Sequence, residues 1–172
     1  MSVSASMWSP MRQRAFRGLW AAGAVFFLGN AMHTMAVSWL MVQITHSSFL
    51  AALVQTATFL PMFLLSLPAG VLADTADRRV LLIGSLGLYA LCAAVLAVLV
   101  AFGLAGPNTL LLFSFLMGAC AAMLTPPWNS AVGDTIARTE LPQAITMISM
   151  AYNGARAVGP ALAGLVFAAV GS

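Results

Sequence analysis

The side chains best suited to chemistry in this sequence are a few polar groups set within long apolar stretches. Arg156 lies inside an apolar run that starts near Leu141, about 22 Å further along a helix. If that run crosses a membrane, a charge at this depth costs at least about 2.5–3.5 kcal/mol and needs a watery cavity or a partner. Its counter-charge is an anionic substrate, a residue elsewhere in the protein, or simply polar neighbours and backbone carbonyls. A binding role and a structural role both stay open.

Asn30, His33 and Thr34 form a second polar group, near the middle of the first apolar run. Asn30 and Thr34 are one helical turn apart and share a face, with His33 beside them. An imidazole titrates near neutral pH, so His33 could carry a proton, or it could simply be a packed and hydrogen-bonded histidine. The four acidic residues all lie outside the apolar runs: Asp74, Asp77, Asp134 and Glu140. Any proton carrier is therefore His33 or a residue beyond Ser172.

The composition places these residues in a membrane protein. The chain has 172 residues, of which 62% are hydrophobic and only 6% charged, with a mean hydropathy of +0.99. Soluble domains carry roughly a quarter charged residues, so lipid must replace the missing polar surface. The net charge of +3 is too small to indicate a nucleic-acid partner. Cys92 and Cys120 lie in apolar runs, which favours buried thiols over a disulfide framework.

The gaps between charged residues predict five transmembrane helices. No charged residue occurs between Arg17 and Asp74, or between Arg79 and Asp134. Each gap is too long for one crossing of a hydrocarbon core about 30 Å thick, and each contains a turn signal, at residues 43–48 and 103–108. The predicted helices cover residues 18–43, 49–73, 80–102, 108–128 and 142–170.

The positions of the arginines predict the orientation of these helices. The polar tail of residues 1–13, the loop between helices two and three, and the segment before helix five all fall on one side and carry arginines. The opposite turns carry no charge, so the positive-inside rule places the amino terminus in the cytoplasm. With five helices the chain finishes on the outer side directly after helix five, and we expect it to be truncated.

The loop between helices two and three resembles the signature loop of the major facilitator superfamily. The sequence there is Gly70-Val-Leu-Ala-Asp74-Thr-Ala-Asp-Arg78-Arg79, in which glycine, aspartate and a basic pair match the family pattern. Thr75 stands where a basic residue is usual, and Asp77 stands where glycine is usual. The resemblance implies that Gly70, Asp74, Arg78 and Arg79 belong to a cytoplasmic latch between the halves of a transporter. The alternative is a solvated charge cluster that only sets orientation.

Helix five resembles the antiporter signature of exporters in the same superfamily. The similarity rests on Gly159-Pro160, with Gly154 before the pair and Gly164 after it. Ala155 and Ala163 replace glycines that the signature expects, so export is favoured over uptake only weakly. These residues are candidates for helix packing and gating. Ala151, Ala155, Gly159 and Ala163 also form a ladder of small side chains that lets another backbone approach closely.

The resemblance implies an all-α membrane protein whose five helices belong to an incomplete twelve-helix major facilitator bundle. The implied function is export of small molecules, drug-like or siderophore-like, by alternating access in the cytoplasmic (inner) membrane. Because the family's first helix lines a central cavity, Asn30, His33 and Thr34 become candidate substrate residues. Arg156 joins them because of its depth in helix five. The expected partners are a small-molecule substrate, the lipid bilayer and the missing carboxy-terminal half of the transporter.

Two other classes of protein remain as alternatives. One is a small self-assembling membrane scaffold without transport activity. The other is a membrane enzyme, for which Asp74 and Asp77 are thin support, so no enzymatic activity is predicted. No phosphate-binding glycine loop and no metal-ligand spacing occurs in the sequence, so neither a cofactor nor a metal is predicted.

Overall fold

The computed structural model describes residues 7–170, which form five long α-helices and two short 3-10 turns. The helices are α1 Arg14–Thr45, α2 Ser48–Thr75, α3 Arg78–Ala101, α4 Pro107–Thr135 and α5 Leu141–Val170. The 3-10 turns, Ser9–Arg12 and Arg138–Glu140, precede α1 and α5. The predicted all-α class is confirmed, and residues 7–170 contain no strand.

Four of these helices, α1 to α4, are long and apolar enough to cross a membrane. Helix α5 has 30 residues but is not among them. It carries Gln143, Asn153 and Arg156 along its length, which lowers its apolar character. Five crossings were predicted, and four helices among the described residues have the length and apolar character that a crossing needs, so the crossing by α5 stays a prediction.

Short linkers join the helices. Between α1 and α2, His46 adopts a left-handed backbone conformation with a φ of 50°, and the Ser47 hydroxyl caps α2 by accepting from the Leu50 amide at 3.4 Å. After α3, Gly103 turns the chain with a φ of 68°, which glycine adopts without a steric penalty. These turns fall within the two segments where the sequence predicts them.

Helix α4 is longer than predicted, because it continues through Pro126 and Pro127 to Thr135 instead of ending near residue 128. Each proline removes one backbone donor, which frees the carbonyls of Ala122 and Met123. Prolines are tolerated in apolar helices when neighbouring groups compensate for the lost donors. In the same turn the Thr125 hydroxyl donates at 2.9 Å to the Ala121 carbonyl, which is the neighbour of the freed carbonyls and not one of them.

The chain divides into two compact units, residues 36–129 and residues 7–35 with 130–170. The first unit has an apolar core formed by five buried side chains from α1, α2, α3 and α4: Val37, Met41, Val54, Leu96 and Leu110. In the same unit α4 approaches α2 closely at Gly118, where an added Cβ would overlap the Thr58 carbonyl oxygen. Only glycine permits this approach.

The second unit is organised by contact between the first part of α1 and α5. Four contacts follow one another along both segments: Gln13 with Glu140, Trp20 with Met147, Phe27 with Tyr152, and Ala31 with Gly159. The residue numbers rise together, so the two helices run parallel and begin at the same end of this unit. Residues 1–6 of the predicted tail lie outside the described residues, whereas Ser9 and Pro10 are buried and the turn that contains them contacts α5.

We predict that Gly118→Ala destabilises the protein by about 1–3 kcal/mol, because the new methyl group meets backbone that cannot move aside. The matched control is Gly87→Ala in α3, where nothing lies within 4 Å of the position that an added Cβ would occupy. That change should be neutral or slightly stabilising, since alanine favours helix by up to about 1 kcal/mol. Thermal unfolding of both purified variants in detergent tests this, and equal midpoints would contradict the close approach.

Candidate functional site

The loop between α2 and α3 consists of only Ala76 and Asp77. Asp77 is the N-cap of α3, and its carboxylate accepts from the Arg79 amide at 2.8 Å. The Ala76 amide donates to the Leu72 carbonyl at 2.9 Å and closes α2. The sequence did not lead us to predict this capping role for Asp77, which departs from the family pattern. An aspartate directly before a helix is a known capping signal and could have identified this role.

The charged residues beside this loop lie at the helix ends where the helix dipole disfavours their sign of charge. Asp74 is exposed in the last turn of α2, where the helix dipole is negative, and Arg78 and Arg79 are exposed in the first turn of α3, where it is positive. Each such placement is unfavourable by a few tenths of a kcal/mol to about 1 kcal/mol. The Asp77 carboxylate offsets part of this cost at the start of α3. Gly70 is half-buried in α2 with open space around it.

We predict that Asp77→Ala lowers stability by about 0.5–2 kcal/mol, because the first turn of α3 loses its cap. Asp77→Asn keeps an oxygen acceptor and removes only the charge, so it should stay much closer to the parent protein. Thermal unfolding in detergent separates the two effects. If both variants lose the same stability, the charge and not the cap hydrogen bond is what matters.

Arg156 lies halfway along α5 and is exposed. Its guanidinium carbon stands 5.6 Å from the centroid of the Tyr152 ring, a cation–π arrangement. Tyr152 is itself 41% exposed and meets Phe27 edge-on, with ring centroids 5.4 Å apart. Pro160 cannot donate the backbone bond that the Arg156 carbonyl would receive four residues earlier. This part of α5 therefore combines a cation, an aromatic face and a carbonyl without its helical donor.

Polar residues continue along the same side of α5. Ser149 and Asn153 are exposed and spaced at helical intervals from Arg156. The Asn153 amide donates to the Ser149 carbonyl at 2.8 Å, which leaves its oxygen as an outward acceptor. Guanidinium donors beside an amide oxygen and a tyrosine can recognise an anionic or polar ligand.

The polar group of α1 lies close to this region of α5. Asn30 follows Phe27 by one turn and neighbours Ala31, so it shares the depth of Tyr152 and Arg156. The Thr34 hydroxyl donates to the Asn30 carbonyl at 2.9 Å. His33 is half-buried, and its Nε2 is buried without a hydrogen-bond partner in the described part of the chain. Two residues from Ala31, His33 lies on nearly the opposite side of α1 from the contact with α5.

The small residues of α5 divide between two faces. Ala155, Gly159 and Ala163 are buried, and a Cβ at Gly159 would lie 2.6 Å from the Ala31 Cβ. Gly154 and Gly164 are exposed with nothing within 4 Å of the position of an added Cβ. Only Gly159 of the predicted packing glycines therefore makes a close contact in this unit.

We predict that Gly159→Ala destabilises the protein by about 1–3 kcal/mol, because the helices must move apart at Ala31. Gly154→Ala, in the same helix with open space, is the matched control and should be neutral. The measurement is thermal unfolding of both variants in the same detergent. A Gly159→Ala protein as stable as the Gly154→Ala protein would show that the contact is not tight.

Among the described residues, no three His, Cys, Asp or Glu side chains lie close enough together to hold a metal ion. Long apolar helices, short linkers and a few polar groups at mid-helix together define a multi-pass helical membrane protein. The sequence of residues 5–172 matches the family model described as transmembrane secretion effector. The chain belongs to that family, and with it to the major facilitator superfamily.

Two curated proteins illustrate this relationship. The chain is 29% identical over 145 residues to the staphyloferrin A transporter of Staphylococcus aureus, covering 84% of the chain and 36% of that protein. It is 33% identical over 156 residues to the multidrug efflux pump Tap of Mycobacterium bovis, covering 83% of the chain and 35% of that protein. The chain thus spans about a third of the length of these relatives. No solved structure gives a significant match.

Proposed function

We propose that this chain is the amino-terminal part of a secondary transporter that exports small molecules by alternating access. The observation that carries the proposal is the exposed Arg156 guanidinium at the middle of α5, in a chain that belongs to a transporter superfamily. The two relatives described above are a siderophore transporter and a multidrug efflux pump, which supports a small-molecule substrate of one of these kinds.

Arg156 is proposed to face the substrate cavity together with the polar group of α1. A guanidinium in lipid is costly, and its contact with the Tyr152 ring compensates only about 0.5–2 kcal/mol of that cost. A watery cavity removes the rest of the penalty. Asn30 and Thr34 lie at the same depth on α1, and His33 would reach the cavity from the other side of that helix. An arginine that orients a polar or anionic group of the substrate explains its position best.

Gly70, Asp74, Arg78 and Arg79 are proposed to form the cytoplasmic latch of the transporter. Their support is the unfavourable placement of the charges, which stabilises neither α2 nor α3. Charges placed in this way gain nothing from the dipoles of their own helices, so contact with a further partner is proposed as their role. The proposed partner is the other half of the transporter, which the greater length of the relatives supports. The proposal places this loop and the amino terminus in the cytoplasm and the helices in the inner membrane.

We predict that Arg156→Ala in the full-length transporter raises the half-saturating substrate concentration at least about tenfold, as expected for loss of a charged hydrogen bond worth about 1.5–3 kcal/mol. Arg156→Lys keeps the charge but not the planar pair of donors. Its half-saturating substrate concentration should lie between those of the parent protein and Arg156→Ala. The measurement is efflux from cells or proteoliposomes, with iron-loaded siderophores and the dye ethidium as probes. Unfolding midpoints measured in parallel verify the fold.

Either of two results would contradict the proposal. The first is unchanged efflux by a folded Arg156→Ala transporter, which would reduce Arg156 to a structural residue. The second is an absence of efflux of every probe by the full-length parent protein, which would remove the transport function itself.

A further inference from the structure

Four arginines gather at the end of the second unit where α1 and α5 both begin. Arg12, Arg14, Arg17 and Arg138 are all exposed. Gln13 donates to the Glu140 carboxylate at 3.4 Å, which brings the turns before the two helices together. Within the described residues, none of these four guanidinium groups has a hydrogen bond or an ion pair.

The acids nearby do not neutralise this cluster. Glu140 is half-buried and accepts from Gln13, and Asp134 has an interaction of its own. No acidic residue precedes Asp74 in the sequence. Four cations against two engaged acids leave this end of the unit positive.

An apolar notch lies in the same unit, between the segment before α1, α1 itself and α5. It is lined entirely by apolar surface, from Met7, Trp8, Trp20, Met147 and Met150. Trp8 is 63% exposed and Met150 is 56% exposed. The Trp20 indole donates to the Met147 carbonyl at 3.1 Å, so its polar atom is already occupied inside the protein.

The notch and the arginines lie at different depths. Trp20 and Met147 each follow the start of their helix by six residues, which is about 9 Å along the axis. The segment before α1 folds back, since Met7 and Trp8 reach the level of Trp20. Arg12, Arg14 and Arg138 lie at or before the helix starts, and Arg17 lies about 4.5 Å along α1. A cationic level with an apolar level deeper along the helices reproduces the layering of a phospholipid, whose phosphate lies above its acyl chains.

We propose that this surface is a binding site for an anionic phospholipid of the surrounding leaflet. Arg12, Arg14 and Arg17, with Arg138 beside them, bind the phosphate and the anionic headgroup. The first methylenes of an acyl chain pack against Trp8 and Met150 in the notch. This site goes beyond transport and holds the segment before α1 at the membrane surface.

A lipid fits these observations better than a soluble anion or a protein segment does. A free phosphate would use the arginines but leave the notch and the exposed Trp8 and Met150 without a function. An acidic peptide would have to lie within the membrane interface, where tryptophan and arginine residues are common contacts of lipid headgroups. Each arginine near an anionic surface strengthens binding about fivefold.

The test is a quenching titration of the full chain in uncharged detergent. The two probes are phosphatidylglycerol and phosphatidylcholine, each with brominated acyl chains that quench tryptophan. We expect half-maximal quenching at a phosphatidylglycerol concentration at least about tenfold below that of phosphatidylcholine. Raising the salt from about 50 to about 500 mM should shrink this difference, because salt screens exposed charges. Because both tryptophans line the notch, Trp8→Phe combined with Trp20→Phe should remove most of the headgroup-dependent part of the signal.

The variants separate charge from fold. R12Q/R14Q/R17Q should lose the preference for phosphatidylglycerol, whereas R12K/R14K/R17K keeps the charges and should keep the preference. Circular dichroism and gel filtration verify that both variants are folded. Equal quenching of the parent chain by both lipids, or a preference that survives in the folded glutamine variant, would overturn the proposal.

Discussion

The parallel contact between α1 and α5 fixes the depth of every polar group in the unit of residues 7–35 and 130–170. The partners along it differ in number by 125 to 128, so the two helices keep nearly one register over its whole length. The closest point is Gly159 against Ala31, where the absence of a side chain lets the backbones meet. Because this register holds, Asn30 lies level with Tyr152 and Arg156, and the arginines at the start of α1 lie level with Arg138 before α5.

Apolar surroundings impose the second constraint, since every polar atom there must find a partner. Among the described residues, eight helix hydroxyls meet it by donating to the carbonyl four residues earlier: Thr34, Thr45, Thr58, Thr75, Ser114, Thr125, Thr135 and Thr146. A guanidinium has five donors and cannot be satisfied in this way. Arg156 contacts an aromatic face, and its own carbonyl loses a donor to Pro160. The middle of α5 is thus the place where the helix does not satisfy its own polar groups.

The sequence predicted the all-α class and where the turns fall, because charged loops, the polar stretch 43–48 and the glycines of 103–108 interrupt the apolar runs. It placed the end of α4 near residue 128, which is too early, because the helix continues through two adjacent prolines to Thr135. Pairing of α1 with α5 was not predicted. The ladder of small residues through Gly159 predicts a closely packed neighbouring helix. The spacing of residues within one helix does not indicate which helix that neighbour is. The capping role of Asp77 was not predicted, although an aspartate directly before a helix indicates it.

Two groups of charged residues, at the link between α2 and α3 and at the start of α1, are not explained by helix electrostatics. At the link between α2 and α3, Asp74 and the Arg78-Arg79 pair occupy the wrong ends of their helices, and the Asp77 cap offsets only part of the cost. At the start of α1, Arg14 and Arg17 are equally misplaced, and the preceding Ser9–Arg12 turn has no side-chain cap among the described residues. Helix stability therefore explains neither the charges of the α2–α3 link nor the arginines at the start of α1. Opposite charges within one short link suit a protein partner of mixed charge, whereas arginines alone, beside exposed Trp8, suit the anionic and apolar layers of a membrane surface.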